Sequence, residues 1–306
     1  MRVRKMKKKI KTNSIALAAA AAMIFNLFVP FAFAEGDKAY IYLSSAADLV
    51  ELANNCMIDS YSTGRTVVMK QDIDLSGTEF NSIGYFNGTF DGAGYTISGL
   101  TLEVSDPERG FIGIIGKDGK VKNLNIKADI KEHTEKKNDK KLKIIDSIAE
   151  EVAPAAERLV DSPSGIYTIG GICGINKGLI SGCTFTGTVK ADRNIGGICG
   201  INENTGRIEA SANKGAITGN ENTGGVCGKN SGVLKWCTNE GKINSEPNET
   251  AKNTGGIAGT SDGAILQSKN NGVIGYPNTG TNTGGIVGSQ SGFVSECENK
   301  AQIYGK

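Results

Sequence analysis

The feature that most constrains this 306-residue chain is a repeat that fills its C-terminal half. Each copy opens with Gly-Gly, an isoleucine or valine, a small apolar residue and another glycine, and a polar turn follows. The five openings begin at Gly170, Gly196, Gly224, Gly255 and Gly284, which lie 26, 28, 31 and 29 residues apart. A period of this size, without helical spacing between the glycines, is typical of a solenoid with one coil per repeat.

Aligning the repeats places branched apolar residues at three fixed positions, which should stack into three columns. The columns are Ile172, Ile198, Val226, Ile257 and Ile286; Ile180, Ile208, Leu234, Ile265 and Val294; and Val189, Ile217, Ile243, Ile274 and Ile303. A degenerate sixth copy over residues 108–130 adds Phe111, Val121 and Ile130 to the same columns. The pattern predicts an all-β parallel β-helix with three short strands per coil around a narrow core.

The N-terminus resembles a secretory signal. A basic start precedes an apolar stretch from Ile15 to Val29, and Ala32-Phe33-Ala34 fits a signal-peptidase site with cleavage after Ala34. Removing residues 1–34 takes away seven of the 34 Lys+Arg and none of the 32 Asp+Glu, which leaves a formal charge of −5. We therefore expect an exported protein with no nucleic-acid footprint and no transmembrane segment after signal removal.

We expect residues 35–306 to form a single β-helix domain. Within it, residues 35–107 should supply an N-terminal cap and the first coils, and residues 167–306 the five repeats. Ser45 to Cys56 has helical spacing with a capping-box start, and a helix there would cover an open sheet edge. Residues 131–166 interrupt the array with a charged loop and a segment of helical spacing. This insertion either folds against one coil face, which we favour, or serves as a docking arm.

An asparagine stands two residues before four of the Gly-Gly pairs. These residues are Asn194, Asn222, Asn253 and Asn282. Asparagine tolerates the left-handed backbone conformation, and amides stacked at strand spacing can hydrogen-bond to each other. A row of asparagines is also compatible with a ligand site, but recurrence with the backbone period favours an amide ladder at a corner of the coil.

The segment 170–183, Gly-Gly-Ile-Cys-Gly-Ile-Asn-Lys-Gly-Leu-Ile-Ser-Gly-Cys, resembles the GLUG repeat of bacterial secreted and surface proteins. The stretch from Asp72 to Ile97 resembles the leader that commonly precedes such repeats. The resemblance implies a right-handed parallel β-helix, exported and often adhesin-like, with no catalytic residues of its own. The helical insertion and the frequent cysteines depart from the family pattern.

Six of the seven cysteines fall in repeat columns. Cys173, Cys199 and Cys227 share one column, Cys183, Cys237 and Cys297 share another, and Cys56 stands alone. Those of the second column lie two coils apart, too far for a disulfide, and neighbours in the first point the same way. We expect free thiols that act as small buried hydrophobes; no Cys/His spacing suggests a metal site.

Catalytic patterns are scarce. The single histidine, His133, makes a Ser-His-Asp triad improbable, although two carboxylates suffice for glycoside hydrolysis. Asp72 and Asp74 should share an outward strand face with Asp91 in a nearby turn, and we expect these three to cap turns rather than to catalyse or bind calcium. No catalytic, cofactor-binding or metal-binding residue is predicted.

These observations favour a secreted or cell-surface bacterial protein that presents a solenoid surface for adhesion or for binding an extracellular glycan or protein. The alternatives are a β-helix lyase or hydrolase acting on extracellular polysaccharide, with the Asp72, Asp74 and Asp91 region as its site, or an accessory module of a larger surface protein. The final coil has no evident cap, so self-association through that end is expected.

Overall fold

The computed structural model describes residues 39–104, 108–132, 167–277 and 279–305, so the predicted signal segment and residues 133–166 of the predicted insertion lie outside these ranges. The described part contains one helix, α1 (Ala46–Asn55), and 31 strands. The strands before the insertion are β1 (Tyr40–Leu43), β2 (Thr66–Met69), β3 (Ile73–Asp74), β4 (Ile83–Phe86), β5 (Thr89–Asp91), β6 (Thr96–Val104), β7 (Glu108–Arg109), β8 (Ile112–Ile115), β9 (Lys120–Lys122) and β10 (Asn125–Glu132).

The strands after the insertion follow the repeat. They are β11 (Thr168–Gly170), β12 (Cys173–Asn176), β13 (Leu179–Ser181), β14 (Thr184–Lys190), β15 (Arg193–Gly196), β16 (Cys199–Asn202), β17 (Arg207–Glu209), β18 (Ala212–Asn213), β19 (Ala216–Thr218), β20 (Glu221–Gly224), β21 (Cys227–Asn230), β22 (Val233–Lys235), β23 (Thr238–Asn239), β24 (Lys252–Gly255), β25 (Ala258–Ser261), β26 (Ala264–Leu266), β27 (Lys269–Asn270), β28 (Thr281–Gly284), β29 (Val287–Gln290), β30 (Phe293–Ser295) and β31 (Glu298–Asn299).

These strands form four parallel sheets, and each sheet takes strands from successive coils. Sheet A has the order β1-β2-β5-β9-β13-β17-β22-β26-β30, and sheet B has β3-β6-β10-β14-β18-β23-β27-β31 with β19 also beside β14. Sheet C has the order β4-β8-β12-β16-β21-β25-β29, and sheet D has β7-β11-β15-β20-β24-β28. This arrangement is the β-solenoid that the repeat predicts.

The expectation of three strands per coil was wrong, because the residues before each Gly-Gly pair form a fourth strand, in sheet D. That strand lies directly against sheet C. A Cβ atom on Gly170 would be 2.6 Å from Cys199 Cα, so only glycine allows the two backbones to approach this closely. The polar, glycine-containing sequence of these strands hides them from a search for apolar strands.

The three predicted columns are confirmed. In the first, the backbone N–H of each residue from Ile172 to Ile257 donates to the carbonyl of its equivalent in the next coil. Ile180 pairs with Ile208, and the series continues through Leu234 and Ile265 to Val294. Val189 pairs with Ile217, and single bridges join Ile217 to the later members of its column. Nearly all of these side chains are fully buried, so the columns form a continuous apolar core along the solenoid axis.

The N-terminal end is covered as the sequence predicts. The α1 helix begins after the N-cap Ser45, whose Oγ accepts a hydrogen bond of 3.2 Å from the Asp48 N–H. The Asp48 carboxylate in turn accepts a hydrogen bond of 2.7 Å from the Ser44 N–H. In a standard capping box this bond comes from the N–H of the N-cap residue itself, so here the donor is displaced by one residue. Leu49 and Leu52 are buried and join the core.

The coil formed by β28–β31 is the most exposed part of the core. Ile303 is 44% exposed, whereas Ile274, its equivalent in the preceding coil, is fully buried. In the described ranges no helix is long and apolar enough to cross a membrane.

Candidate binding groove and stacked polar columns

The predicted asparagine ladder is present at the beginning of the sheet D strands. Asn222 donates to Asn194, Asn253 to Asn222, and Asn282 to Asn253, each from Nδ2 to Oδ1 at 2.9 Å. All four asparagines have φ between 48° and 56°, the left-handed conformation that asparagine tolerates. The row is therefore structural, and it holds the corner of successive coils in register.

Two further amide ladders are present that were not predicted from the sequence. Asn176 donates to Asn202, Asn202 to Asn230 and Asn230 to Ser261 at 2.8–3.0 Å, where sheet C turns into sheet A. A second series, Asn213 to Asn239 to Asn270 to Asn299, runs inside sheet B at 2.6–2.7 Å. Both series recur with the repeat, and that recurrence is the signal that could have revealed them.

A wide cleft lies at the corner between sheets B and D. It has a volume of about 860 Å³ and is lined by the end of β10, the end of β14 and the turns that follow β14, β19 and Ile243. Its main polar side chains are Lys131, Glu132, Lys190, Asp192, Asn220 and Asn248. We call this cleft the corner groove.

The polar groups of the corner groove are linked from coil to coil. Asn248 Nδ2 donates to Asn220 Oδ1 at 3.2 Å, and Asn220 Nδ2 donates to Asp192 Oδ1 at 2.7 Å. The Asp192 N–H donates to Glu132 Oε2 at 2.8 Å. Because each side chain is oriented by its neighbour, the groove presents a fixed row of acceptors and donors to a partner.

Charges of both signs face the corner groove. Partial burial raises the pKa of Glu132, and the nearby Asp192 carboxylate raises it further, while the hydrogen bond from the Asp192 N–H opposes the shift. Arg193 Nε lies 3.4 Å from both Asp192 and Glu221, and Lys131 pairs with Glu103 at 3.1 Å. The surface is suited to hydrogen-bonding a polar partner and has no dominant sign of charge.

Of the three aspartates considered as catalytic candidates, Asp74 and Asp91 stabilise local turns and Asp72 links two coils. Asp74 Oδ1 accepts from the Ser76 N–H and Oγ at 3.0 and 2.8 Å, and these bonds lower its pKa. Asp72 accepts from the Thr96 N–H at 2.7 Å, and Asp91 from the Ala93 N–H at 2.9 Å. Asp91 ends a strand of sheet A rather than lying in a turn, while Asp74 belongs to sheet B.

Asp91 has one further interaction, an ion pair with Lys122 at 2.9 Å. Partial burial works to raise the Asp91 pKa, but the Lys122 interaction and the hydrogen bonds from Ala93 and Asn123 outweigh it, so the pKa is lowered. A carboxylate held ionised in this way is a poor general acid.

The seven cysteines are free thiols, and only Cys297 is partly exposed. Cys173 Sγ lies 3.5 Å from Cys199 Sγ in the next coil. In the second column the thiols alternate with serines, and the Cys183 and Cys237 N–H groups donate to Ser211 Oγ and Ser268 Oγ. Cysteine and serine therefore fill one structural position in alternating coils. Within the described residues no group of three or more His, Cys, Asp or Glu side chains is placed to hold a metal ion.

Comparison with known proteins identifies the fold of this chain but does not assign it to a family. No protein-family model matches the chain, and no curated protein matches it. A similar solved structure is a 1.30 Å crystal structure from Bacteroides ovatus, of a protein described as a putative immunoglobulin A1 protease. It covers 88% of this chain and 78% of its own, with 16% identity and a TM-score of 0.59. By this likeness the chain is a β-solenoid protein, while its assignment to the GLUG repeats stays a prediction from sequence.

Proposed function

We propose that this chain is an exported, non-catalytic binding module that holds an extracellular partner in the corner groove. The observation that carries the proposal is the linked row of Glu132, Asp192, Asn220 and Asn248, which several coils contribute to one cleft. Repeated coils make a long, regular surface, and solenoid proteins use such surfaces for binding. The export signal and the GLUG resemblance support a secreted or cell-surface location.

Catalysis on polysaccharide is the less favoured function. Asp72, Asp74 and Asp91 all accept hydrogen bonds from backbone N–H groups, and the lowered pKa of Asp74 and Asp91 disfavours the proton donor that glycoside hydrolysis needs. The similar Bacteroides ovatus protein is described as a protease, but an identity of 16% supports a shared fold only. We therefore assign binding rather than peptide or glycoside cleavage.

The test uses the purified chain from residue 35 with a panel of polysaccharides and bacterial envelope preparations. Retention of the protein and release of new sugar ends are measured in the same tubes. We expect retention without release, and we expect Asp192→Ala and Asn220→Ala together to reduce retention by about tenfold or more. The matched control is the exposed Asp262→Ala.

Two results would overturn the proposal. The first is retention that is equal in the Asp192/Asn220 variant, the Asp262 variant and the unaltered chain. The second is release of sugar ends that disappears in Asp72→Asn or Asp74→Asn, which would establish the enzyme instead.

A further inference from the structure

Two neighbouring tyrosines on the first strand are exposed. Tyr40 and Tyr42 are 55% and 54% exposed, and they alternate with Ile41 and the buried Leu43 on β1. Their rings are nearly parallel, with an interplanar angle of 14° and centroids 6.2 Å apart. Because β1 is the edge strand of sheet A, this aromatic pair stands at the margin of the solenoid.

Contacts within the chain cover only part of the surface of these rings. Lys70 Nζ lies 4.1 Å from the centroid of the Tyr42 ring and makes a cation–π contact with it. Stacking of the rings on each other adds a modest contribution. More than half of the surface of each tyrosine still faces solvent, so the two rings form an adjacent pair that a partner can contact.

A small hollow adjoins Tyr42, which forms part of its wall. The hollow has a volume of about 110 Å³, and its wall combines the polar residues Asp48, Glu51, Asn55 and Tyr61 with the aliphatic residues Ile41, Leu43 and Leu52. Asn55 Nδ2 lies 3.4 Å from the Tyr61 hydroxyl, and helix α1 positions both carboxylates. Carboxylate, amide and phenol groups thus lie directly beside an exposed aromatic surface.

This combination matches the chemistry of a sugar ring. A pyranose has faces of C–H groups, which pack on aromatic rings, and a rim of hydroxyls, which hydrogen-bond to carboxylates and amides. A small number of well-placed polar groups beside an apolar surface is also the usual composition of a ligand site. The rings alone would suit many apolar partners, but the adjacent hydroxyl-binding groups favour a carbohydrate.

We propose that Tyr40 and Tyr42 form a stacking site for a pyranose unit of a neutral extracellular polysaccharide, with its hydroxyls directed to the hollow lined by Asp48, Glu51 and Asn55. The site lies at the N-terminal edge of sheet A and does not include the corner groove. This proposal rests on the proposed function in one respect, namely that the chain binds an extracellular partner. Because the two sites are different, either proposal can fail without the other.

The test is isothermal titration calorimetry of the purified chain from residue 35 with soluble laminarin, galactomannan, xyloglucan and dextran. We expect at least one to bind, and Tyr40→Ala with Tyr42→Ala to weaken that binding about tenfold or more. Tyr40→Phe with Tyr42→Phe keeps the rings and should bind within about twofold of the unaltered chain. Tyr95→Ala, which removes another exposed tyrosine, should have no effect.

The proposal is wrong if none of the four polysaccharides binds, or if the double alanine variant binds as tightly as the unaltered chain. Far-UV circular dichroism of each variant checks that β1 and the cap still fold. If the alanine variant fails that check, the single variant Asn55→Ala decides, because it should weaken binding through the hollow alone, and unchanged binding in that variant would contradict the proposal. Loss of polysaccharide binding in the Asp192/Asn220 variant with normal binding in the tyrosine variant would place the sugar in the corner groove instead.

Discussion

Asn202 donates its side-chain amide to Asn230 Oδ1 at 2.8 Å, and both side chains are fully buried. The donor points towards the C-terminal coil in this ladder and in the sheet B ladder, where Asn239 donates to Asn270. The corner ladder runs the opposite way, because Asn222 donates back to Asn194. The solenoid is thus held by hydrogen-bonded columns of both polarities in addition to its apolar core.

The inner ladders should carry much of the stability of the repeats. Asn239 accepts from Asn213 and from the Gly241 N–H, and donates to Asn270. Asn239→Leu leaves these buried groups unpaired, so we expect a loss of about 3 kcal/mol in the free energy of unfolding. Urea unfolding measures the change.

The matched control for that ladder is Asn299→Leu at its exposed end, where we expect a loss below about 1 kcal/mol. Equal losses at both positions would show that the ladder contributes nothing beyond the local turn.

Two threonines in the same column of sheet D allow a hydrogen-bonded hydroxyl to be compared with an unpaired one at equivalent positions. Thr254 Oγ1 accepts a hydrogen bond of 2.9 Å from the buried Asn244, whereas the buried Thr223 hydroxyl has no hydrogen-bond partner among the described residues. Valine has nearly the same shape as threonine. We therefore expect Thr223→Val to stabilise the protein by about 1 kcal/mol and Thr254→Val to destabilise it by about 1–2 kcal/mol.

Thermal unfolding of the two valine variants tests the difference. The opposite order, or equal shifts of the melting temperature, would contradict the assignment of the Thr223 hydroxyl as unpaired.

The sequence predicts the solenoid because its apolar residues recur at a fixed phase. Ile180, Ile208 and Leu234 align by their distance from the Gly-Gly pairs, and they pair in that register. The corner asparagines were predictable for the same reason, since each precedes a Gly-Gly pair. Periodicity alone therefore determines the apolar columns and one of the ladders.

The fourth sheet and the corner groove could not be predicted in the same way. Sheet D depends on close backbone contacts at glycines such as Gly170, and no apolar pattern marks them. The groove joins Glu132, which ends β10 where the predicted insertion begins, to Asp192, which is 60 residues further along the chain. Hydrogen bonds between distant, non-repeating residues leave no periodic signal, so the candidate site becomes visible only in three dimensions.

Burial should make six of the seven thiols unreactive in the folded protein. Burial raises the pKa of Cys183 and Cys237 to about 12 and that of Cys56 to about 11, so few thiolates exist near pH 8. Cys297 has a raised pKa as well, but it is partly exposed. We expect iodoacetamide to label Cys297 first and the others only in urea.

Peptide mass spectrometry identifies the labelled sites. Rapid labelling of Cys199 in the folded protein would contradict the expectation, because that thiol is fully buried and its pKa is raised well above the ordinary value, chiefly by burial.

Acid should weaken the fold partly through Asp91. Its pKa is lowered in the folded state, although partial burial opposes the lowering, because Lys122 and the hydrogen bonds from Ala93 and Asn123 favour the carboxylate. A lowered folded-state pKa contributes stability that is present above the unfolded pKa and is lost as the pH falls through the folded value.

We expect Asp91→Asn to lower the free energy of unfolding by about 1 kcal/mol or less at pH 7, since the ion pair is partly exposed, and to have no effect at pH 2. Urea unfolding at both pH values, with Asp262→Asn as the control, measures this. A loss that is the same at pH 2 and pH 7 would show that Asp91 acts through the shape of its turn rather than through its charge.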